Sequence, residues 1–220
     1  MNAAFPDPVA GQIAAAIARR EHSRVCQLLT GGADSDAVGA DGISLLEWAI
    51  VNSSIGSVRA LIDAGADLAH ADEAGDAALH YAAIADDHRC LGLLLAQDLD
   101  VDVPNPRTGH TPLMDAVLYR RHPQVSMLLA AGADPDAVDR AGDTPLHMAG
   151  EIDDYESVLD LLEAGADPRR KNRQGATFQH YIFMTPAALL TTAARSELDQ
   201  VIAWLDGHDI PVEHSSAGLR

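Results

Sequence analysis

The side chains of this 220-residue chain that could do chemistry are ten histidines, 33 acidic residues and two cysteines. Histidines near carboxylates could hold a metal ion or run acid–base catalysis, so their spacing matters. His80, His147 and His180 fall at one place in three copies of a short pattern. His22, His70, His88, His110, His122, His208 and His214 are scattered, and no two form the His-x-x-x-His pair that puts two ligands on one helix face. Cys26 and Cys90 lie 64 residues apart with no Cys-x-x-Cys pair, so neither a zinc site nor a disulfide framework is indicated. Cys90 sits at an apolar helix position and reads as a small core residue. Ser53-Ser54 and Thr191-Thr192 have no base at an interpretable spacing, and no glycine loop suits a phosphate. Glu151, Asp153 and Asp154 read as a solvated face. No catalytic residue, metal or cofactor is indicated, and the chain is read as a non-enzyme.

The elements that would position these residues are set by an internal repeat. Gly-Ala-Asp begins at Gly32, Gly65, Gly132 and Gly165, and Asp98-Leu99-Asp100 fills the gap, giving spacings of 33, 33, 34 and 33. A second glycine series, Gly42, Gly75, Gly109, Gly142 and Gly175, holds the same register. After it come Thr111-Pro112-Leu113 and Thr144-Pro145-Leu146-His147, with weaker copies at Ser44 and Ala77. A hydroxyl before proline starts a helix, because the hydroxyl caps free amides and proline at the first position loses no bond. A second helix follows with the stripes Val58/Leu61/Ile62, Leu91/Leu94/Leu95, Val125/Leu128/Leu129 and Val158/Leu161/Leu162, and glycine ends it.

A 33-residue period of turn plus two helices, with Thr-Pro-Leu-His-x-Ala and Gly-Ala-Asp, resembles the ankyrin repeat over about residues 8 to 210. The resemblance implies an all-α repeat fold, an ankyrin solenoid of helix-turn-helix units joined by β-hairpin fingers. It implies that the motif histidine bridges neighbouring loops. It also implies a concave finger and inner-helix face that binds another protein. The expected division is one solenoid, with a degenerate unit at 8–34, regular repeats at 35–67, 68–100, 101–134 and 135–167, an expanded unit at 168–210 and a tail at 211–220.

Several places depart from the pattern. The first unit lacks the Thr-Pro start, and Arg19, Arg20, Glu21 and Arg24 suit a cap facing water. The third finger is one residue longer, and Pro104 and Pro106 hold Asn105 in an extended segment. In the last unit Phe178 replaces proline, and 43 residues separate Val158 from Val201. The surplus around 184–195 is either extra helix closing the core or a loop that reaches a partner.

By register, the contact positions are Asp41, Ile43, Val51 and Asn52; Glu73, Asp76, Ile84 and Ala85; Arg107, His110, Leu118 and Tyr119; Arg140, Asp143, Glu151 and Ile152; and Lys171, Arg173 and Gln174. Tyr119 is the expected anchor. The formal charge of −18 repels nucleic acid and anionic membrane and favours a basic or mixed-charge protein partner, while also serving solubility. The functional expectation is a protein-binding module, monomeric by itself. An alternative is an immunity protein or inhibitor of a basic toxin or enzyme, in keeping with the small size and lack of an attached effector domain. A second alternative is a scaffold or self-assembling protein. Lys171 is the single lysine, a bias pointing to a GC-rich bacterial coding sequence. The chain start has no basic leader and no run spans a membrane, so a cytoplasmic location is expected.

Overall fold

The computed structural model describes residues 5–186 and 188–213. His214 and the rest of the 211–220 tail beyond residue 213 lie outside them. Twelve α-helices stand among the described residues, and they divide into two compact units, Met1–Arg107 and Thr108–Arg220.

The N-terminal unit holds α1 (Pro8–Ala18), α2 (His22–Thr30), α3 (Leu45–Val51), α4 (Ile55–Asp63), α5 (Ala78–Ile84) and α6 (Arg89–Leu95). Its first helices α1, α3 and α5 pack in sequence, and its second helices α2, α4 and α6 form a layer behind them. Asp7 starts α1 by accepting the amides of Val9 and Ala10 at 2.9 and 2.7 Å. Ser44 and Glu47 start α3 with a reciprocal capping box.

The C-terminal unit holds α7 (Pro112–Leu118), α8 (His122–Ala130), α9 (Pro145–Glu151), α10 (Tyr155–Glu163), α11 (Phe178–Ile182) and α12 (Thr192–Gly207). Here α7, α9 and α11 pack in sequence, with α8, α10 and α12 behind. Pro112 and Pro145 open α7 and α9 as the sequence predicts.

The second-helix stripes are sharper than the sequence pattern. Val58, Leu61, Leu91, Leu94, Val125, Leu128, Val158 and Leu161 are wholly buried, whereas of the third members only Leu162 is. Ile62, Leu95 and Leu129 are half-buried. The expected hairpin fingers are minimal, being turns closed by single antiparallel bridges at Val38–Ser44 and Ala71–Ala77 in the N-terminal unit.

The surplus in the last unit is divided between helix and loop. α12 runs 16 residues where α10 runs 9. Val201 is the tenth residue of its helix and Val158 the fourth of its own, so most of the added helix precedes the buried stripe. Leu190 and Leu198 are buried there, while Met184 and Leu189 are 63% and 76% exposed.

Candidate partner-binding surface

From the second finger on, each is organised by an Asp or Asn side chain that accepts amides of the turn it begins. Asp72 accepts from Asp76 at 2.9 Å, and its other oxygen takes the Tyr81 hydroxyl at 2.7 Å. Burial and that carboxylate push the Tyr81 hydroxyl well above its ordinary pKa. Asp139 accepts from Ala141 and Asp143, both at 2.8 Å. Asn172 accepts from Gln174 and Ala176 at 3.0 and 3.1 Å.

Where this residue is asparagine it also reaches the finger before it. The Asn105 Nδ2 donates to the Asp76 carboxylate at 2.6 Å and to the Ala74 carbonyl at 3.2 Å. The Asn172 Nδ2 donates to Asp143 at 2.7 Å. Both asparagines are buried, so the proline-flanked third finger is locked onto its neighbour through Asn105. Backbone bonds tie other fingers directly, from the Glu73 amide to the Asp41 carbonyl and from the Arg140 amide to the Thr108 carbonyl, each at 3.0 Å.

The motif position three residues after the cap is used differently from helix to helix. The His147 Nδ1 lies 2.8 Å from the Thr144 hydroxyl, and its Nε2 lies 3.0 Å from the Ala176 carbonyl of the next finger, the bridge the resemblance implied. His80 is likewise buried and accepts the Ala77 amide at 3.2 Å. His180 departs from the expectation. It is exposed, and its ring meets Tyr181 edge-on. Glu47 takes this place in α3. It is wholly buried, its Oε2 accepts the Ser44 amide at 2.7 Å, and its Oε1 has no hydrogen-bond partner. Burial raises its pKa to about 7, against the opposing pull of the Ser44 bonds and His70.

The Gly-Ala-Asp aspartates are also structural. Asp34, Asp67, Asp134 and Asp167 accept the amides of Asp36, Ala69, Asp136 and Arg169 at 2.9–3.0 Å. Asp36 accepts the amide of Asp67, and Asp136 that of Asp167, one repeat on. Much of the acidic excess is therefore occupied in turns.

The predicted contact residues fall into two groups. Asp41, Glu73, Arg107, Tyr119, Arg140, Glu151, Lys171 and Arg173 are exposed at finger tips and helix ends. The others are at least partly engaged. Asn52 caps α3 by donating to the Trp48 carbonyl at 2.7 Å. Asp76 and Asp143 receive the finger asparagines. The His110 Nδ1 is 3.1 Å from Asp115, and its Nε2 is 3.8 Å from Asp139. Leu118 and Ile152 are half-buried, and the Ile152 carbonyl accepts the Arg120 guanidinium. Ile43 is only 4% exposed, because the finger folds its side chain beneath the turn, so it is not a surface contact.

Two features escaped sequence reasoning. Asp153 and Asp154 are not a solvated face. Asp154 is buried and takes His122 at 2.9 Å and the Ser157 hydroxyl at 2.7 Å, joining α8 to α10. Asp153 takes the hydroxyls of Tyr155 and Thr185 at 2.9 and 2.7 Å. The finger asparagines were missed as well. Their signal was an Asp or Asn three residues before Gly75, Gly142 and Gly175 and four before Gly109 in the long finger. Cys90 is buried as expected, which pushes its thiol up to about 11, and Cys26 lies 3.6 Å from His22 on the next turn of α2.

Comparison with known proteins follows the same landmarks. A sequence profile for ankyrin repeats (three copies) matches over residues 12–105, 68–139 and 87–172. The chain is 50% identical over 98 residues to Protein PhlB of Serratia liquefaciens, covering 44% of this chain and 43% of that protein. It therefore spans less than half the length of that curated relative. Among solved structures, the ankyrin repeat protein EF0377 superposes with a TM-score of 0.75 at 26% identity, covering 88% of this chain and 97% of the other. The ankyrin repeat domain of Bcl-3, a member of the IkappaB family, gives 0.70 at 27% identity, covering 85% and 81%. Such repeats are in general protein–protein interaction modules and typically non-catalytic. Among the described residues no helix is long and apolar enough to cross a membrane. By its repeat register, its helix pairs and its finger hydrogen bonds, this chain belongs to the ankyrin-repeat family.

Proposed function

We propose that this protein is a non-catalytic binding module that holds a partner protein on its fingers and the adjoining ends of its first helices. The observation that carries the reading is Tyr119, a large aromatic residue 57% exposed at the end of α7. An aromatic side chain kept in water at a family contact position suits an interface anchor. In the same unit Arg140, Glu151, Lys171 and Arg173 are also exposed, while Asp143 serves the fold.

A basic partner is favoured at the N-terminal unit, where Asp41 and Glu73 stand exposed on adjacent fingers. Inhibition of a basic enzyme or toxin is the specific form this would take. Electrostatic steering would then make association fast and salt-dependent. The test is capture of partners from the native cell by the wild-type chain, Tyr119→Ala and the pair Asp41→Asn/Glu73→Gln. Tyr119→Ala should lose a partner held by the C-terminal unit, and Asp41→Asn/Glu73→Gln one held by the N-terminal unit, each at unchanged melting temperature. If the same partner is retained by both, the surface assignment fails.

A further inference from the structure

We propose that the last finger of the C-terminal unit, with Arg169, Arg170, Lys171 and Arg173, together with Arg140 on the finger before it, docks an Asp/Glu-rich segment of a partner polypeptide. This deepens the reading of the chain as a protein-binding module and rests on it. It assigns the chemistry of one part of the surface.

The charge distribution is the first ground. In a chain of formal charge −18, four of the 15 basic residues fall within positions 169–173. All four are exposed, and among the described residues none of them forms an ion pair. Arg140 is exposed one finger away at the position equivalent to Arg173.

The neighbouring carboxylates are directed at the protein's own donors. Asp167 accepts the Arg169 amide at 2.9 Å, and Asp136 accepts the Asp167 amide at 3.0 Å. Asp139 accepts two turn amides, and Asp143 accepts the Asn172 side chain. Hydrogen bonds from these donors occupy the carboxylates, while the four cations at 169–173 are exposed. At physiological salt the screening length is about 8 Å, so acids elsewhere on the chain are attenuated at this patch.

The finger is also pre-ordered. Asn172, only 6% exposed, makes hydrogen bonds to Asp143, Tyr181, Gln174 and Ala176. The Arg173 amide donates to the Ala141 carbonyl at 3.3 Å. Binding therefore orders side chains and not the loop. A Cβ on Gly142 would meet Arg173 at 3.0 Å, so the last finger packs closely on the one before it.

Four of the five cations are arginines, whose planar forks pair with carboxylates in bidentate fashion. A long polyanion such as nucleic acid, or an extended anionic membrane, would overrun this small patch onto the acidic remainder of the chain. A short acidic peptide segment fits within it.

The test is fluorescence anisotropy of a fluorescein-labelled deca-glutamate peptide at low and physiological salt. A Gly-Ser decamer, a 20-nucleotide single-stranded DNA and vesicles with anionic lipid serve as comparisons. Saturable binding of deca-glutamate is expected, weakened about tenfold or more by Arg170→Glu/Arg173→Glu. Arg170→Lys/Arg173→Lys keeps the charge, removes the forks and should fall between the two. Absence of saturable binding, equal binding by wild type and the Glu pair, or tighter binding of DNA or vesicles than of the peptide would overturn the inference. If the Glu pair does not fold, the Lys pair decides: binding equal to wild type overturns the bidentate recognition. Loss of a native partner on Tyr119→Ala alongside failed peptide binding would leave the module reading standing and remove only this one.

Discussion

Glu47 shows how one residue can carry a repeat motif and a liability together. The capping box needs its carboxyl, yet the first repeat buries that group with one oxygen unpartnered. Its pKa rises from 4.5 to about 7 on folding, so the folded state prefers the neutral acid. The stability this gives is full below pH 4.5 and is lost as pH rises through about 7. Glu47→Gln keeps an acceptor for Ser44 and cannot ionise. It should therefore be more stable than wild type by about 1–3 kcal/mol at pH 8, with the difference vanishing near pH 4.5 in denaturant titrations. Asn105 offers the opposite experiment. Asn105→Asp replaces the donor 2.6 Å from Asp76 with a second carboxylate. It should cost about 1–3 kcal/mol at pH 7, and the loss should shrink as the pair is protonated in acid, again read by denaturant titration.

At the scale of the element, the two glycine series look alike in sequence and differ in the fold. Both adopt positive φ, at 84° for Gly65 and 81° for Gly109. A Cβ on Gly65 would meet open space, whereas one on Gly109 would lie 2.9 Å from the Arg140 backbone amide. Gly65→Ala should cost about 1 kcal/mol from conformational strain alone. Gly109→Ala should cost at least 1 kcal/mol more, because it also separates two fingers, and comparison of the two melting curves checks this. The period was legible because helix caps and apolar stripes are local patterns. The joint made by His122 and Asp154 was not, because its partners are 32 residues apart and neither type is diagnostic alone. The surplus before Val201 was countable, but its division between loop and helix depends on where Thr191 caps α12 by accepting the Ala194 amide.

For the molecule as a whole, the net charge was legible and its distribution among roles was not. Sequence counting treats every aspartate alike, while the fold occupies Asp34, Asp67, Asp134 and Asp167 in turns and leaves Asp41 and Glu73 in water. A basic partner held by the exposed acids should associate more slowly as salt rises from 50 to 300 mM, with dissociation less affected, in stopped-flow mixing. Salt-independent association would remove the steering argument. The two asparagines that lock the fingers bear on how the protein ages. Asparagine slowly becomes aspartate when the next backbone nitrogen attacks the side-chain amide, expels ammonia and forms a cyclic imide that water then opens. Asn105 is followed by Pro106, whose ring nitrogen carries no hydrogen, and Asn172 by Arg173, whose amide is held by the Ala141 carbonyl. Conversion would set two carboxylates face to face across a finger, and the residues beside each asparagine work against it. The chemical clock is slowed at the two places where its product would do the most harm.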